Sequence, residues 1–364
     1  MLTWNRIAGW LVLALLTTGL IVGCGRATRD DLKDSYTADT SIESLASDCR
    51  VIEHDLGETE VCGQPQKVVT INAYALDLLL SLGVQPAGST ITLNVHQGEI
   101  FDNPAQQIPY LGDRVTTQPM NLGNASEPSL EKLTLLKPDL IVGQAGRVDN
   151  YDLLSQIAPT LLWRNRTAKG QWQESLRDLA IALEQSEKAE AMIQQYETRI
   201  VDARADLANV VATYPKLLLL GASRLDEGVF AINADSYLGE LLESIGFQLI
   251  SPSVAKANAP ISIEALPELD DADSIIILGY NFDVSDGRLE NPASSADTTM
   301  GDLLETHQVQ PIQQDWQESA IAQSLTASQE NRVYFATFYK WNGLNGPIGA
   351  ELILEQLRQF LLEG

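Results

Sequence analysis

The stretch SEKAEAMIQQYETRIVDARADLANV, residues Ser186 to Val210, carries apolar side chains three and four positions apart. They are Ala189, Met192, Ile193, Tyr196, Ile200, Ala203, Leu207 and Val210. This spacing is the period of one apolar face on an α-helix, and no Gly or Pro follows until Pro215. We therefore predict a single helix, about 35 Å long at 1.5 Å per residue, with Ser186 as its N-cap.

Short apolar strands alternate with helical patterns on both sides of this predicted helix. The strand patterns are Lys67 to Ile71, Asp139 to Gly143 and Thr160 to Trp163 before it, and Lys216 to Leu220, Ser274 to Leu278 and Arg332 to Ala336 after it. Such alternation is typical of parallel sheets covered by helices. We predict an α/β protein with two parallel-sheet lobes, one long backbone helix between them and a ligand cleft between the lobes. The alternative is a long crossover helix inside one larger domain.

The length of 364 residues suits two lobes that each bury a core. The expected divisions are a signal peptide (1–24), a flexible polar tether (25–47), an N-terminal lobe (48–170), a helical segment with the lobe-spanning helix (171–210) and a C-terminal lobe (211–364).

The first residues have the pattern of an export signal. Arg6 precedes an apolar run from Ile7 to Val22, and Gly23-Cys24 follows it. The ending Leu20 to Cys24 resembles a bacterial lipobox, which implies that Cys24 is lipidated and becomes the new N-terminus. The expected location is the bacterial cell envelope, on the periplasmic side, with a lipid anchor as the only membrane contact. The alternative is a transmembrane anchor, for which the run is marginal because a bilayer needs about 20 residues.

Two further cysteines, Cys49 and Cys62, flank a predicted hairpin. Arg50 to His54 and Thr59 to Val61 have strand character, and a Gly-containing loop separates them. Cross-strand neighbours at the open end of a hairpin lie close enough to bridge, and an even pair in an exported chain favours a disulfide over a metal site.

The formal net charge of −25 argues against nucleic acid as a partner. Duplex DNA and anionic lipid would repel a surface of that charge. A local basic pocket for an anionic ligand remains compatible with it.

Both halves of the chain contain the same local motif. Ser129 precedes Glu131 by two residues, Ser262 precedes Glu264 by two residues, and an acidic residue opens a buried strand soon after each pair. Each motif predicts a Ser-capped short helix with Glu in its first turn. Helix capping alone explains one copy, but it does not explain why both halves place the motif at the same point.

From about Arg50 to the C-terminus the chain resembles the helical-backbone class (class III) of periplasmic substrate-binding proteins of ABC importers, in particular the iron-siderophore-binding lipoproteins. The order and spacing of several segments carry the resemblance. They are Gly57-Glu58-Thr59 with Pro65-Gln66-Lys67-Val68-Val69, Leu79 to Gly83 with Pro86-Ala87-Gly88, Leu111-Gly112 with Glu127-Pro128-Ser129-Leu130-Glu131, Lys137-Pro138-Asp139-Leu140-Ile141, Ile261-Ser262-Ile263-Glu264, and Asn331-Arg332-Val333-Tyr334.

The resemblance implies an extracytoplasmic binding protein that captures a ferric-siderophore chelate and delivers it to an ABC permease dimer with its ATPase. Ferric iron would travel within the siderophore, with no cofactor held directly by the protein and no enzymatic activity. Glu131 and Glu264, one per lobe, would dock onto arginine pockets of the permease. We expect the chain to act as a monomer.

The cleft of open α/β sheets lies beyond the carboxyl ends of the strands. Applied here, this rule selects Asn72, Tyr74, Gln144 to Arg147, Arg164 and Arg166 in the first lobe, and Ser223, Arg224, Tyr280, Asn281 and Phe338 to Trp341 in the second. Arg114 is added to this set because it is expected in a loop directly after Leu111-Gly112-Asp113. Arginine bonds oxygen anions bidentately, and aromatic rings offer flat apolar faces. We predict ligand contacts from Tyr74, Arg114, Arg147, Arg164, Arg224, Tyr280, Tyr339, Lys340 and Trp341. For each arginine taken alone, a solvated loop charge is the alternative.

Other functions fit the sequence less well. A carrier of free metal ions needs converging ligands, whereas His54 lies in the hairpin and His96 and His307 are expected in loops. Cobalamin and haem carriers share the fold class and stay open as alternatives. A lipid-anchored hydrolase is a further alternative, but Gly221 to Leu225 lacks the second Gly of a nucleophile elbow. The Gly-rich run Gly343 to Gly349 lacks a phosphate-loop Lys and is predicted to be a turn and helix cap.

Overall fold

The computed structural model describes residues 48–91, 96, 98–145, 151–250, 260–282 and 298–363. The strands are β1 (Cys49–His54), β2 (Gly57–Cys62), β3 (Val68–Thr70), β4 (Gly88–Ile91), β5 (Met120–Asn124), β6 (Glu127–Pro128), β7 (Leu140–Gln144), β8 (Thr160–Trp163), β9 (Lys216–Ala222), β10 (Phe230–Ala231), β11 (Gln248–Leu249), β12 (Ser274–Gly279) and β13 (Val333–Thr337). The predicted signal peptide and tether lie outside the described residues.

The α-helices surround two sheets. They are α1 (Ala73–Ser81), α2 (Pro104–Gln107), α3 (Leu130–Leu136), α4 (Tyr151–Ser155), α5 (Gln171–Ala182), α6 (Ser186–Asp206), α7 (Ala208–Thr213), α8 (Tyr237–Ile245), α9 (Met300–Leu304), α10 (Gln310–Glu318), α11 (Ala320–Gln323), α12 (Thr326–Gln329), α13 (Phe338–Gly343) and α14 (Pro347–Leu362). Short 3₁₀ helices cover Gly112–Arg114, Leu225–Glu227 and Ile263–Leu269, and a π-helical turn covers Glu305–Val309.

The first lobe is built on a six-stranded sheet in the order β6-β5-β4-β3-β7-β8. The strands from β5 to β8 in this order run parallel, and only β6 is antiparallel, at the edge. Every residue of β3 and of β8 is buried. Helices cover both faces of a parallel sheet, and this explains why its strands are continuous apolar runs.

The second lobe is built on β10-β9-β12-β13, with β11 also paired to β9. Strands β9, β12 and β13 run parallel, and all residues of β12 are buried. These two sheets and the helices around them confirm the predicted α/β class with two parallel-sheet lobes.

Helix α6 is the predicted backbone helix, and its buried face is the predicted one. Ala189, Ile193, Tyr196, Ile200 and Ala203 are all buried along it. The prediction of one unbroken helix to Val210 was wrong, because α6 ends at Asp206 and α7 begins at Ala208. The N-cap is Gln185 rather than Ser186, and it makes no side-chain cap hydrogen bond.

The two ends of α6 are attached to different lobes. Near its start, Lys188 Nζ donates to the carbonyl of Leu82, just after α1 of the first lobe. Near its end, Arg204 Nε donates to the carbonyl of Ser244 in α8 of the second lobe at 2.9 Å. Cations therefore satisfy free carbonyls at the C-terminal ends of two helices, where the helix dipole also favours positive charge.

The hairpin forms as predicted and carries a disulfide. Strands β1 and β2 pair antiparallel with Cys49 directly opposite Cys62, and the two sulfurs are bonded. Arg50 attaches the hairpin to the rest of the lobe, since its guanidinium donates to the carbonyl of Ala182 at the end of α5 and pairs with Glu184 at 3.0 Å.

The chain between β12 and β13 differs most from the sequence expectation. Helices α9 to α12 and the π-helical turn lie there, and His307, expected in a loop, is 3% exposed within that turn. Within the described ranges, no helix combines the length and the apolar character needed to cross a bilayer.

Candidate functional site

A cleft of about 350 Å³ lies at the carboxyl ends of strands from both sheets. Its described lining is Ile71, Asn72, Ala73, Tyr74, Ala125, Ser126, Pro128, Gln144, Ala145, Leu154, Leu162 and Arg166 from the first lobe, and Phe282, Phe338, Tyr339 and Gly343 from the second. The volume falls in the range of ordinary small-molecule sites. Of the residues selected from the strand ends, this cleft is lined by Asn72, Tyr74, Gln144, Ala145, Arg166, Phe338 and Tyr339.

The turn from β3 into α1 shapes the first-lobe side of the cleft. The side chain of Asn72 caps α1 by accepting a hydrogen bond from the N–H of Ala75 at 2.9 Å. Tyr74 follows in the first turn, fully buried, with its ring edge against Trp163 at 6.2 Å. Burial raises the pKa of the Tyr74 hydroxyl, which therefore stays neutral.

Aromatic rings form the second-lobe side. Phe282 follows β12, and Phe338 begins the helix after β13. Together with Phe230 and Tyr280 they form a cluster of edge-to-face pairs 5.0–6.2 Å apart. Tyr280 belongs to this cluster and is 41% exposed, but it does not line the cleft itself.

Arg166 is the one cationic side chain among the described lining residues. Its Nε donates to Gln144 Oε1 at 2.8 Å, and its Nη1 donates to the backbone carbonyl of Asn342 and to Oδ1 of Asn345. All three acceptors are neutral. Burial lowers the pKa of Arg166 to about 10, so the guanidinium is still charged at neutral pH. No carboxylate in the described part of the chain forms an ion pair with it.

A buried carboxylate links α1 to the start of α14. Asp77 of α1 is fully buried, and its two oxygens accept hydrogen bonds from the N–H groups of Ile348 and Gly349 at 3.0 and 2.8 Å. These N–H groups open α14, where the helix dipole favours a negative charge. The Gly343 to Gly349 run is thus a turn and helix cap, as predicted, with Asp77 of α1 accepting from the first N–H groups of the helix.

Three of the arginines predicted to bind the ligand contact other residues and do not line the cleft. Arg114 pairs with Glu351 of α14 at 2.7 Å. The Nε of Arg164 donates to the carbonyl of Asp55 in the hairpin at 3.2 Å. Arg224 pairs with Asp315 at 2.6 Å. None of the three lines the cleft, and the expectation of an arginine-rich cleft is corrected accordingly, because acidic or carbonyl partners distant in sequence hold these side chains elsewhere.

Lys340 and Trp341 point away from the cleft as well. Lys340 Nζ pairs with Glu305 at 2.7 Å and lies 4.8 Å from the ring centre of Tyr110. Trp341 is fully buried, and its Nε1 donates to Gln356 at 2.8 Å. Both residues belong to α13, a helix that the sequence did not predict. The helical turn directs Tyr339 to the cleft and its two successors away from it.

The remaining predicted site residues divide into two groups. Arg147 and Cys24 lie outside the described residues. Glu131 and Glu264 are exposed in the first turns of their helices. Ser129 caps its helix at Lys132 N, but Ser262 makes no backbone cap bond. The Glu264 carboxyl instead accepts hydrogen bonds from the backbone of Glu264 and from the Ser262 hydroxyl, and these bonds lower its pKa.

The sequence did not single out Asp77 and Asn345, which bond to α14 and to Arg166, respectively. Asp77 lies in the apolar run AYALDLLLS, where a single carboxylate among buried positions was an available signal. Asn345 gave no signal beyond its place in a Gly-rich turn. Arg166 was selected by the strand-end rule but was not among the favoured ligand contacts.

The described residues contain one group that could offer three metal ligands, formed by Cys49, Glu60 and Cys62. The sulfurs of this group are bonded to each other. A disulfide has no thiolate to give to a metal, so the group does not fit a metal centre.

Known proteins with the same organisation were found by sequence and by structure. The chain is 29% identical over 272 residues to the Fe(3+)-citrate-binding protein YfmC of Bacillus subtilis (strain 168), covering 73% of this chain and 78% of that protein. It is 22% identical over 340 residues to the probable siderophore-binding lipoprotein YfiY of the same organism, covering 91% and 93%. The crystal structure of Staphylococcus aureus SirA complexed with staphyloferrin B has the same fold, with a TM-score of 0.63, 24% identity and coverage of 86% of this chain and 98% of SirA.

A family of binding proteins accounts for these likenesses and for the cleft between two lobes. Its match covers residues 68–339, from the first strand of the six-stranded sheet to Tyr339 in the cleft. The chain belongs to the periplasmic binding protein family.

Proposed function

We propose that this protein captures a ferric-siderophore chelate outside the cytoplasm and delivers it to the permease of an ABC importer. The observation that carries the proposal is Arg166, a charged guanidinium in the cleft whose described partners are all neutral. Even a partly buried charge is costly when no counter-charge is near it. An anionic ligand in the cleft would supply that counter-charge.

The rest of the cleft suits an organic skeleton around the metal. Phe282 and Phe338 offer apolar faces from one lobe, and Ile71 and Leu162 offer them from the other. Asn72, Ser126 and Gln144 add hydrogen-bonding groups. An oxygen-rich anionic chelate with apolar parts matches both sets. The similar protein YfmC is named as an Fe(3+)-citrate-binding protein. This similarity supports a ferric chelate as the ligand of the present protein.

In this proposal the protein is a carrier rather than an enzyme, and ferric iron travels inside the chelate. Tyr74, Tyr339 and Arg166 contact the ligand, and Arg147 remains a predicted contact. The lobes are residues 48–170 and 211–364, with the helical segment 171–210 between them. The protein works as a monomer, held to the membrane by a lipid on Cys24, which the intact mass of the membrane-extracted protein would detect.

Delivery requires a docking surface, and we assign it to Glu131 and Glu264. Both carboxylates are exposed, and each occupies the first turn of a helix in a different lobe. Two separated negative charges can seat on arginines of a permease dimer, one lobe on each half.

Calorimetric titration with three chelates of different charge tests the proposal. Ferric citrate and a ferric tris-catecholate are anionic, and a ferric trihydroxamate is neutral. We expect tight binding of at least one anionic chelate. Arg166→Gln should weaken that binding by about 10- to 100-fold, since a hydrogen bond to a charged group contributes roughly 1.5–3 kcal/mol.

Arg224→Gln is the matched control, because it removes the same charge from an ion pair outside the cleft. Its affinity should equal that of the unmodified protein. Absence of binding to every chelate, or equal affinity after Arg166→Gln, would overturn the proposed function.

A further inference from the structure

The end of α13 and the loop from α13 to α14 carry two of the three groups that orient the charge of the cleft. Arg166 extends from the first lobe, and its Nη1 reaches the backbone carbonyl of Asn342 near the end of α13 and Oδ1 of Asn345 on the loop after it. The orientation of the guanidinium therefore depends on a contact between lobes rather than on its own lobe alone. Of its hydrogen bonds to described residues, the Nε bond to Gln144 is the one within the first lobe.

Asn345 lies in a closely packed loop. It is fully buried, and its backbone has a φ of 53°, a left-handed conformation that Asn tolerates better than most residues. The carbonyl of the next residue, Gly346, accepts a hydrogen bond from the Tyr237 hydroxyl at 3.1 Å. A side chain at Gly346 would meet the Asp77 carboxylate, 2.6 Å from its Cβ position. The loop therefore has little freedom to shift.

The chemical nature of the acceptor also matters. An amide oxygen accepts a hydrogen bond from a guanidinium and leaves its positive charge uncancelled. A carboxylate at the same place would form an ion pair and cancel it. Asp has nearly the shape of Asn and shares its tolerance for the left-handed region, so geometry alone would accept either residue.

We propose that Asn345 is a positioning residue that holds Arg166 toward the cleft from the opposite lobe while leaving its charge free for an anionic ligand. The inference rests on the proposed function, because it assumes that the cleft binds an anion. It adds that the affinity of the cleft depends on a residue that does not line it and that belongs to the other lobe. Specificity for anionic over neutral chelates then requires a neutral side chain at position 345.

The test is the substitution Asn345→Asp, with ferric citrate and the ferric tris-catecholate as anionic probes and the ferric trihydroxamate as the neutral probe. We expect the affinity for the better-bound anionic probe to fall at least tenfold, and any affinity for the neutral probe to stay within twofold. The melting temperature should stay level or rise, because the new carboxylate pairs with Arg166. A residue with only a structural role would give that stability without the loss of affinity.

Asn331→Asp is the matched control. Asn331 also has a left-handed backbone, with a φ of 56°, but it is exposed in the turn before β13, and none of the described hydrogen bonds joins it to Arg166. This variant should bind both kinds of probe like the unmodified protein. If Asn345→Asp does not fold, Asn345→Gly keeps the backbone conformation and removes the acceptor, and a tenfold loss of anionic affinity is again expected.

A double-mutant cycle separates positioning from other effects. In an Arg166→Gln background the Asn345→Asp change should cause no further loss, since the charge it acts through is gone. The role of Asn345 would be overturned if Asn345→Asp bound the anionic probes as tightly as the unmodified protein. It would also be overturned if Asn345→Asp lowered the affinity for these probes as much in the Arg166→Gln background as it does alone. If the unmodified protein bound none of the three chelates, the proposed function itself would be overturned.

Discussion

The carboxylate of Asp77 accepts a hydrogen bond of 2.8 Å from the N–H of Gly349, 272 residues later in the chain. A second bond of 3.0 Å from Ile348 makes Asp77 the cap of the C-terminal helix α14. Burial raises the pKa of Asp77 from 3.8 to about 6, and the hydrogen bonds from the helix only partly oppose this effect. A charge that holds two parts of the fold together is therefore also sensitive to pH.

The raised pKa predicts that Asp77 makes the folded protein more stable as the pH falls from 7 to 4. Between the unfolded and folded pKa values, the folded state binds a proton that the unfolded state does not. The gain should be on the order of 3 kcal/mol, from about two pH units at 1.36 kcal/mol each. Tyr74 and Tyr237 nearby stay neutral in this window, because burial raises the pKa of both.

Denaturant unfolding at several pH values measures this contribution as the difference between the unmodified protein and Asp77→Asn. The difference should shift in favour of the unmodified protein as the pH falls. Asp113→Asn, at an exposed position, corrects for the general loss of negative charge. A difference that does not change with pH would contradict the assignment.

The attachment of α6 to both lobes predicts little lobe movement on ligand binding. Lys188 fixes one end to the first lobe and Arg204 fixes the other end to the second. Bending between them must break helical hydrogen bonds. Small-angle scattering should give nearly equal radii of gyration with and without ferric chelate.

A variant with a weakened helix provides the comparison. Gln195→Gly with Glu197→Gly alters two exposed positions in the middle of α6, at a cost of about 1 kcal/mol each. A change of radius on ligand binding should be larger in this variant. A large contraction of the unmodified protein would contradict the rigid-helix interpretation.

The docking proposal predicts that Glu131→Ala with Glu264→Ala lowers uptake of the iron chelate into cells but leaves chelate affinity unchanged. The double variant should be worse than either single one, because both lobes must seat on the permease together. Glu187→Ala with Glu227→Ala removes the same charge from two other exposed first-turn positions. Normal uptake in the Glu131 and Glu264 double variant would reduce these residues to helix-terminal charges.

The disulfide predicts a loss of stability when both cysteines are replaced. Cys49 and Cys62 are 13 residues apart, and a loop of this size contributes about 3 kcal/mol in the chain-entropy account. Cys49→Ser with Cys62→Ser should lower the melting temperature by several degrees. The unmodified protein, treated with a thiol-blocking reagent without reduction, serves as the reference. Labelling of both Cys49 and Cys62 in that protein, or an unchanged melting temperature in the variant, would contradict the prediction.

Local patterns predicted most of the regular structure. The strand Thr160 to Trp163 has the bounds that the sequence indicated. The apolar period from Ala189 to Ala203 identified the buried face of α6. These features depend on neighbours within a few residues along the chain, and such neighbours are visible in the sequence.

The candidate site was predictable in place but not in detail. Parallel strands bring their carboxyl ends to one edge, so the strand ends alone indicated the cleft. Whether an arginine faces that cleft depends on the acceptor that it meets. Arg114 meets Glu351, 237 residues away, and Arg224 meets Asp315, 91 residues away. No local pattern contains those pairings.

The sequence by itself determined the α/β class, the backbone helix, the hairpin with its cysteine pair and the edge of each sheet where the cleft lies. Hydrophobic period and turn chemistry act over short distances, and they suffice for these features. The tertiary structure decided which charges remain available. It left Arg166 with neutral partners in the cleft and buried Asp77 against the start of α14. Electrostatic pairing acts through space, and its outcome is set only when distant segments meet.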